Sequence, residues 1–482
     1  MKSMKILLAG AEANPFVKTG GLADVLGALP KALRALGIDA RVMIPKHSAI
    51  KARYQPEIET LAVSSVRLNW REAYLGVQYM ESDGVPTYFI DNEDYFGGPV
   101  YKGGDAENEQ YMYFCKAVCE ALPLIGFEPD VLHLNDWHTG MVPMLLKTQY
   151  AWREGGGPHT LFTIHNIAFQ GKMDFALMRD FLSIPDRYYS PLYIEQDGAA
   201  NMMKAALSFS EKITTVSPNY ANELLYGWYG LGMERILSAR RSDLRGILNG
   251  IDTDDFDPEH EEILAANFSD TDLRGKRICK DALRKEFSLT GDRNAPIVCM
   301  VSRLTAQKGF DLVKYALEEL LCDESLDMRF VLLGSGDTEY QDFFNYIAGK
   351  YPGKAGVWIG YDEALAHRIY AGSDFLLMPS EFEPCGLSQM IAQRYGTLPI
   401  VRKTGGLVDT VRPYGGFDNG STGFAFGSLN AHDMMFAIRT ALGVYRDKIV
   451  FRGLRRNAMS VDNSFGKPAV EYGDLYRSMI SG

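Results

Sequence analysis

Lys18-Thr19-Gly20-Gly21-Leu22-Ala23-Asp24 and Lys403-Thr404-Gly405-Gly406-Leu407-Val408-Asp409 are two copies of one seven-residue segment that differ at a single position. Each copy follows a strand-like run and opens a helix-like one, so both place paired glycines and a lysine at the carboxyl end of a predicted strand. Open α/β sheets bind ligands at that end. Free N–H groups at a helix start bind anions, and glycine lets a phosphate or sugar approach the backbone closely.

The rest of the chain alternates short apolar runs with longer amphipathic stretches, the pattern of parallel sheets with crossover helices. The first half predicts strands at residues 5–9, 40–44, 87–91, 131–135, 160–165, 213–217 and 246–249. The second half predicts strands at residues 297–302, 329–334, 357–360, 375–379 and 398–401. An acidic, strand-poor stretch at 252–262 separates them, and we place a hinge near Gly250. The pattern predicts an α/β protein of two doubly wound domains with a deep cleft at their strand ends.

Apolar residues recur at helical spacing between Leu22 and Leu36 and predict the first helix, which Pro30 should kink or split.

The 482 residues are too many for one hydrophobic core and suggest two or three domains. No apolar run reaches the length of about 18 residues that a membrane span needs, and no secretory segment is recognisable, so we expect a cytoplasmic protein without a membrane partner. Six cysteines without a Cys-x-x-Cys pair predict neither disulfides nor a zinc site.

The net charge of −11 argues against nucleic acid as a partner, because such surfaces carry a basic stripe. An anionic ligand would therefore need a few convergent cations within a screened site. Arg303 and Lys308 follow a strong predicted strand and can converge on one anion. A guanidinium with an ammonium suits a diphosphate, whereas the alternative is two solvated surface cations. The sequence matches neither a P-loop nor a dinucleotide-binding glycine motif.

Another predicted strand ends at Glu381-Phe382-Glu383-Pro384-Cys385-Gly386-Leu387. Pro384 and Gly386 fix a turn, which leaves Glu383 free to accept hydrogen bonds from sugar hydroxyls. A solvated acidic loop is the alternative. Cys385 is predicted to be a buried structural thiol rather than a nucleophile, because no partner histidine is identifiable.

Two histidine-bearing segments, 133–139 and 163–166, end strands of the first half. Polar, aromatic and imidazole groups at strand ends suit sugar recognition, and His165 is the better functional candidate. His133 lies inside a strand and is predicted to be a core residue. The histidines lack a fitting zinc spacing. Asp252-Thr253-Asp254 resembles a metal-binding Asp-x-Asp pair, but its position predicts a hinge loop, and we expect no metal.

Seven motifs in order give the chain a resemblance to the family of bacterial glycogen synthases and plant starch synthases, from residue 4 to about residue 477. They are Lys-Thr-Gly-Gly-Leu-Ala-Asp (18–24), Asn-Asp-Trp-His-Thr (135–139), Thr-Ile-His-Asn (163–166), Asn-Gly-Ile-Asp (249–252), Ser-Arg-Leu-x-x-Gln-Lys-Gly (302–309), Glu-Pro-Cys-Gly-Leu (383–387) and Thr-Gly-Gly-Leu (404–407). The resemblance implies a GT-B fold of two Rossmann-like domains, 1–250 on the acceptor side and 251–455 on the nucleotide-sugar side. It also implies a carboxyl-terminal segment, 456–482, whose helix crosses back to the first domain.

The family resemblance implies transfer of glucose from ADP-glucose to the non-reducing end of an α-1,4-glucan with retention. We expect neither a cofactor nor a metal. Arg303 and Lys308 would hold the diphosphate, helped by Lys18 and the amides of Gly20 and Gly21. His165 and Glu383 would contact the donor glucose. The remaining substrate-binding candidates are Tyr361 stacked on adenine, Asp24, Asp136, Trp137, Asn166 and Asn249 on the sugar and acceptor side, and Cys385, Gly386, Leu387, Thr404, Gly405 and Gly406 beside the donor.

Three positions depart from the family pattern. Ile391 stands eight residues after Glu383, where many retaining GT-B enzymes have a second glutamate. Lys403 stands where a second arginine is common, and Asn463-Ser464-Phe465 stands where a tryptophan is usual, which predicts weaker docking of the last helix. A glucan-binding protein without turnover, a sugar-nucleotide epimerase and a glucan phosphorylase remain alternatives. Neither the choice of adenine over uracil nor the oligomeric state follows from a recognisable pattern.

Overall fold

The chain divides into two compact units in a computed structural model that describes residues 3–151, 157–416 and 420–481. The first unit comprises Met1–Gly250 together with Phe465–Gly482, and the second comprises Ile251–Ser464. The helix that ends at Met459 stays with the second unit, so the expected boundary at 455/456 falls inside that helix rather than in a linker.

The first unit is built on a mixed sheet whose strand order is β12-β11-β7-β6-β1-β2-β5-β4-β3. A smaller sheet of short strands has the order β8-β10-β9. The strands are β1 (Lys5–Ala9), β2 (Asp39–Pro45), β3 (Glu59–Leu68), β4 (Arg71–Ser82), β5 (Val85–Asp91), β6 (Val131–Asn135), β7 (His159–Ile164), β8 (Lys172–Met173), β9 (Glu195–Gln196), β10 (Ala199–Asn201), β11 (Lys212–Thr215) and β12 (Leu244–Gly246).

The second unit is built on a parallel sheet with the order β15-β14-β13-β16-β17-β18. Its strands are β13 (Ile297–Val301), β14 (Arg329–Gly334), β15 (Ala355–Ile359), β16 (Phe375–Met378), β17 (Leu398–Arg402) and β18 (Phe424–Phe426). Numbered along the chain, this is the 3-2-1-4-5-6 order of doubly wound sheets. In the first unit the parallel strands β5-β2-β1-β6-β7-β11 have the same order. Ligands of such sheets bind where the order reverses, between β1 and β6 and between β13 and β16.

Helices connect the strands. They are α1 (Gly21–Ala35), α2 (Glu93–Phe96), α3 (Gly104–Ala121), α4 (Val142–Thr148), α5 (Phe175–Leu182), α6 (Met202–Phe209), α7 (Pro218–Glu223), α8 (Gly227–Gly230), α9 (Glu234–Ala239), α10 (Arg274–Glu286), α11 (Phe310–Cys322), α12 (Thr338–Lys350), α13 (Glu363–Gly372), α14 (Ser388–Arg394), α15 (Gly405–Thr410), α16 (Ala431–Arg446), α17 (Lys448–Met459) and α18 (Gly466–Ser481). Short 3-10 helices span Ala52–Glu57, Trp137–Thr139, Asp186–Tyr188 and Ala306–Lys308.

The first helix runs unbroken through Pro30, so the expected split is wrong. Proline costs a helix one hydrogen bond and a steric clash with the preceding turn. Here Pro30 is buried on the same face as Leu26 and Leu33. Its apolar packing offsets the loss of the backbone bond, because a helix in a protein is stabilised chiefly by the face it buries.

The carboxyl-terminal helix α18 is part of the first unit, where it packs against α1. Phe465, just before it, and Tyr472 and Tyr476 within it are all buried. The hydroxyl of Tyr476 lies 2.7 Å from Nδ1 of His133. His133 is fully buried with Thr163 Oγ1 2.6 Å from its other ring nitrogen, which confirms it as a core residue.

Candidate active site

The switch point of the second unit brings together the loops that follow β13 and β16. Lys308, after β13, donates to Glu383 Oε2, after β16, at 2.7 Å. Ser380 Oγ donates to the same oxygen at 2.9 Å. Glu383 is almost completely buried, whereas Lys308 is about one-fifth exposed. Lys308, which is predicted to bind the diphosphate, and Glu383, which is predicted to bind the sugar, are therefore paired with one another. The Lys308 ammonium has three donors, so two remain for a substrate.

The two loops are also joined through their backbones. The amide of Glu381 donates to Gln307 O at 2.8 Å, and Gln307 Nε2 donates to Phe382 O at 3.2 Å. Gly309 has φ +74°, and a Cβ there would come within 2.1 Å of Pro379 O. Arg303, by contrast, is exposed, and its guanidinium has no ion pair or hydrogen bond to another residue in the described ranges. The Arg303 guanidinium can therefore bind a ligand without breaking a contact to another described residue.

The second glycine-rich segment packs against the Glu383 loop. A Cβ on Gly405, whose φ is +45°, would lie 1.9 Å from Glu383 O, and a Cβ on Gly406 would lie 2.3 Å from Cys385 O. The Gly406 amide donates to Glu383 O at 3.0 Å. Close backbone contact within the fold explains these glycines, so the interpretation of a free anion-binding helix start is wrong for Gly406, whose N–H already has a partner.

The neighbouring candidates occupy distinct positions in the second unit. Cys385 is buried, and a Gln389 side chain on α14 donates to both Cys385 O and Gly386 O. Leu387 is the residue that precedes α14. Thr404 is buried at the start of α15, and the Tyr361 ring is 72% exposed between β15 and α13. A ring so exposed can stack on a planar base.

The first glycine-rich segment has a different setting. It follows β1 at the switch point of the first unit, whereas the second copy follows β17, which is not at the switch point. Gly20 has extended backbone, and the nearest atom to an added Cβ would be 3.7 Å away. Lys18 Nζ lies 2.8 Å from Asp24 Oδ1 in the first turn of α1. The open amides of Gly20 and Gly21 at this fifteen-residue helix fit the predicted anion site.

Across the same switch point, the loop after β6 carries Asp136. This residue has φ +59° and is buried, and its Oδ1 accepts from the amides of His165 at 2.8 Å and Asn166 at 3.3 Å. Burial raises the pKa of Asp136 to about 7 against these bonds. Positive φ at a non-glycine residue is uncommon and clusters at functional sites. Asp136 thus holds the predicted sugar ligand His165 in place through the backbone.

His165 is a neutral imidazole in this fold. Burial lowers its pKa to about 3. Its Nε2 lies 2.9 Å from Asn135 Oδ1, and the Asn135 amide nitrogen donates to Ala9 O and His133 O. The asparagine oxygen must therefore accept, so Nε2 carries the proton and Nδ1 is left as an acceptor.

Trp137 and Asn249 complete the candidates of the first unit. Trp137 is buried, and a Cβ at Gly171, where φ is +62°, would come within 2.3 Å of its indole. Asn249 is buried with no partner for Oδ1 among the residues described. A buried acceptor without a partner costs free energy, which a ligand donor would recover.

Two residues of this region escaped the sequence-based prediction. Glu12 is 1% exposed and accepts hydrogen bonds from Thr19, and the Tyr101 hydroxyl lies 3.2 Å from its other oxygen. Neither residue belongs to a recognised motif. The one available signal is an acidic residue within the otherwise apolar stretch that follows β1.

Asp252 lies in a tight turn, where its Oδ1 accepts from the amides of Asp254 and Asp255. Within residues 3–151, 157–416 and 420–481, no cluster of three histidine, cysteine or acidic side chains has the arrangement of a metal site. None of the helices described there is long and apolar enough to span a membrane.

Comparison with known proteins agrees with this geometry. Residues 5–239 match the family model "Starch synthase catalytic domain", and residues 282–444 match "Glycosyl transferases group 1". The chain is 48% identical over 478 residues to a glycogen synthase of Geobacillus thermodenitrificans, which covers 99% of this chain and 98% of the relative. It is 45% identical over 482 residues to a glycogen synthase of Clostridioides difficile, with 99% and 100% covered.

Solved structures show the same relationship. The catalytic domain of starch synthase IV from Arabidopsis thaliana, bound to ADP and acarbose, superposes with a TM-score of 0.92 at 32% identity and full coverage of both chains. A sucrose-phosphate synthase from Thermosynechococcus elongatus shares the fold at a TM-score of 0.62 and 18% identity, with 99% of both chains covered. The predicted family, fold class and enzyme class are confirmed. The chain belongs to the glycogen and starch synthase family of GT-B glycosyltransferases, and it is a glucosyltransferase.

Proposed function

We propose that this enzyme transfers glucose from ADP-glucose to the non-reducing end of an α-1,4-glucan with retention at the anomeric carbon. The observation that carries the proposal is the Lys308–Glu383 pair beside the exposed Arg303 at the switch point of the second unit. Cations and a buried carboxylate at one point suit a ligand that is anionic at one end and rich in hydroxyls at the other. The similar starch synthase was solved with ADP, the product that such a donor leaves.

In the second unit, Arg303 and Lys308 are proposed to bind the diphosphate, and Tyr361 to stack on the adenine. Glu383 accepts hydrogen bonds from glucose hydroxyls. Around them, the backbone of 385–387 and 404–406 is proposed to face the donor. Because the Gly406 amide is already used within the fold, its contribution would be to shape the loop rather than to bind phosphate.

In the first unit, Lys18 and the open amides of Gly20 and Gly21 are the proposed anion-binding element. His165 is proposed to accept a hydrogen bond from a sugar hydroxyl at Nδ1, a role that the neutral tautomer allows. The proposed sugar and acceptor ligands are Asp24, Asp136, Trp137, Asn166 and Asn249.

The chemistry follows from charge. When the bond from the anomeric carbon to the phosphate oxygen breaks, its electron pair goes to ADP, so negative charge grows there. Preorganised cations and amides stabilise that charge more in the transition state than in the ground state. The acceptor 4-hydroxyl forms the new bond on the same face and passes its proton to a phosphate oxygen. This route requires no enzyme nucleophile, no cofactor and no metal.

One assay separates this function from its alternatives. The protein is incubated with glycogen and either ADP-glucose or UDP-glucose, and we follow nucleotide release and the anomeric configuration of the new linkage. We expect glycogen-dependent ADP release and an α linkage. A glucan-binding protein would release no nucleotide, an epimerase would act without glycogen, and a phosphorylase would require inorganic phosphate. Preference for UDP-glucose, or a β linkage, would overturn the proposal. The expected cytoplasmic location stays a prediction.

A further inference from the structure

A buried carboxylate lies directly behind the first glycine-rich segment. Glu12 stands three residues after β1 and is 1% exposed. Its Oε2 accepts two hydrogen bonds from one residue, the Thr19 amide at 2.5 Å and the Thr19 hydroxyl at 2.8 Å. Thr19 lies between Lys18 and Gly20, the residues proposed to face the diphosphate. A single side chain therefore fixes the backbone from which the cation and the open amides project.

The second oxygen of Glu12 faces another segment of the first unit. The Tyr101 hydroxyl lies 3.2 Å from Oε1, and the Tyr101 ring lies 5.3 Å from the His138 ring, next to Trp137. The segment that carries Tyr101 is anchored at Val100 O, which accepts from the Gln110 side chain at 3.1 Å and from the Tyr111 hydroxyl at 2.8 Å. Glu12 and Tyr101 thus link the loop after β1 to the loop after β6.

We propose that Glu12 is a positioning residue for donor binding, one that holds the Lys18–Gly21 segment in the shape that receives the diphosphate. The inference rests on the proposed function, because it takes that segment to be the anion-binding element. Glu12 itself touches no substrate. Its carboxylate accepts from the Thr19 amide, the Thr19 hydroxyl and the Tyr101 hydroxyl, and in the ionised form all three bonds are charge-assisted, whereas the neutral acid is a weaker acceptor.

The surroundings of Glu12 bring its pKa close to neutral pH. Burial raises its pKa to about 7, and the bonds from Thr19 and Tyr101 oppose that rise. Asp24 on α1 adds to the rise, and Asp136 and Tyr111 are the other ionisable groups whose charge it senses. The loop-holding carboxylate is therefore ionised above about pH 7 and lost progressively as the pH falls through that value. The diphosphate of ADP-glucose keeps its charge in the same range.

The test measures KM for ADP-glucose and kcat at saturating glycogen, from pH 6 to pH 8. In the unmodified enzyme we expect KM to rise about tenfold between pH 8 and pH 6, since roughly nine-tenths of a group with a pKa near 7 is protonated at pH 6. Glu12→Gln is a neutral isostere of the protonated acid and cannot titrate, so its KM should be flat with pH and close to the value that the unmodified enzyme reaches at pH 6. Glu12→Ala should raise KM about tenfold at every pH. A purely structural role would lower kcat or the amount of folded enzyme and leave the pH profile of KM unchanged.

Two further variants sharpen the result. Tyr101→Phe removes a donor that favours the ionised carboxylate, so the midpoint of the KM profile should move to higher pH. Glu57→Gln changes an exposed acid of the same unit and should leave the profile where it is. A Glu12→Gln enzyme with the same pH dependence as the unmodified enzyme would overturn the proposal, and so would an unmoved midpoint in Tyr101→Phe.

A second readout needs no turnover. Amide hydrogen exchange at Thr19, whose N–H donates to Glu12, should speed up at least about tenfold in Glu12→Ala in the full chain without ligand, and by a smaller factor in Glu12→Gln, which keeps a neutral acceptor. Unchanged exchange in Glu12→Ala would contradict the positioning role. If the unmodified protein released no ADP with glycogen, the proposed function would fail while this exchange result still tested Glu12. If Glu12→Ala did not fold, Glu12→Gln and Tyr101→Phe would decide the question.

Discussion

At the scale of single residues, the second unit keeps its two charged ligands in contact with each other. Lys308 neutralises a carboxylate that is nearly removed from water, and removing one member of such a pair leaves a buried charge without compensation. The Arg303 guanidinium neutralises no buried carboxylate among the residues described. The two cations, which the sequence presents as equals, should therefore respond differently to substitution.

Arg303→Ala should lower kcat/KM for ADP-glucose roughly tenfold to a hundredfold, since it removes a charge-assisted contact worth about 1.5 to 3 kcal/mol. Its melting temperature should stay within about 1 °C of that of the unmodified protein, because surface substitutions have small effects on stability. Lys308→Ala should lower kcat/KM by a similar or larger factor and should also lower the melting temperature, because Glu383 is left unpaired. Steady-state kinetics and thermal unfolding measure both effects.

Lys314→Ala is the matched control, because the partly exposed Lys314 pairs with the exposed carboxylate of Glu339 in the same unit. Exposed pairs contribute little, so both kcat/KM and melting temperature should hardly change. Full turnover in Arg303→Ala would contradict the phosphate assignment. An unchanged melting temperature in Lys308→Ala would contradict the structural part of its role.

Two site residues predicted from motifs at strand ends lie together in the structure, while their roles stay predictions. Lys308 and Glu383 were both singled out, and they lie in contact. Their mutual pairing was not predicted, because it depends on β13 and β16 being neighbours in the sheet. Glu12 was missed for the same reason: its partners lie 7 and 89 residues along the chain, and no local pattern records their approach.

At the scale of elements, the two seven-residue copies turn out to be alike in sequence and different in position. One follows the first strand of its sheet and keeps its amides open, whereas the other follows the fifth and packs against a neighbouring loop. The topological counterpart of the Lys18 segment is the Arg303–Lys308 loop, which also follows the first strand of its sheet. The sequence repeat therefore identified two strand ends correctly, but these two strands do not occupy equivalent positions in their sheets.

Alanine substitutions should separate the two copies. Gly406→Ala should destabilise the protein by about 3 kcal/mol, because its Cβ would lie 2.3 Å from Cys385 O and a packed backbone has no room to move. Gly20→Ala should change stability by less than about 1 kcal/mol, since its backbone is extended and its nearest contact is 3.7 Å. Urea unfolding midpoints compare the two. Equal destabilisation of both variants would contradict the distinction.

Most strands could be predicted because a buried parallel strand is an apolar run with clear ends. The predicted strands at 5–9, 131–135 and 329–334 match the observed bounds. The hairpin of β3 and β4 was missed, because much of β3 is exposed and its sequence lacks the continuous apolar run of a buried strand. The short strand β18 was missed as well, since three residues carry no period.

The last helix was expected to dock weakly for want of a tryptophan, and its buried contacts show what holds it. Tyr476→Phe should destabilise the first unit by about 1 to 3 kcal/mol, because Nδ1 of the fully buried His133 would lose its only described partner. Tyr472→Phe is the comparison, since it removes a hydroxyl from the same helix without touching that bond. Thermal unfolding measures both, and equal stability of Tyr476→Phe and the unmodified protein would show that the bond contributes nothing.

At the scale of the molecule, the first unit buries imidazole and carboxyl groups whose titration differs from that of exposed groups, in a chain whose net charge is −11. Burial lowers the pKa of His47 to about 4 and the pKa values of His133, His138 and His165 to about 3. Burial raises the pKa values of Glu12 and Asp136 to about 7. Both kinds of group are neutral in the folded protein near pH 5.5.

These groups make the stability of the first unit depend on pH in a stated direction. Near pH 5.5, unfolding lets four imidazoles of ordinary pKa take up protons, while two carboxyl groups release theirs, a net uptake of about two protons. Stability rises with pH wherever the unfolded state binds more protons. The free energy of unfolding should therefore fall by about 2.5 kcal/mol as the pH drops from 6 to 5.

Urea unfolding at pH 6.0, 5.5 and 5.0 measures this slope. Tryptophan fluorescence reports mainly on the first unit, because every tryptophan except Trp358 belongs to the sequence of that unit. His47→Gln should roughly halve the slope, because it removes one of the imidazoles while the glutamine amide can still donate to Ala11 O, the acceptor that lies 3.0 Å from His47 Nε2. A slope of zero, or greater stability at pH 5 than at pH 6, would mean that these imidazoles are not held neutral by burial. The same experiment would then also remove the basis for treating His165 as a neutral acceptor at the pH of the reaction.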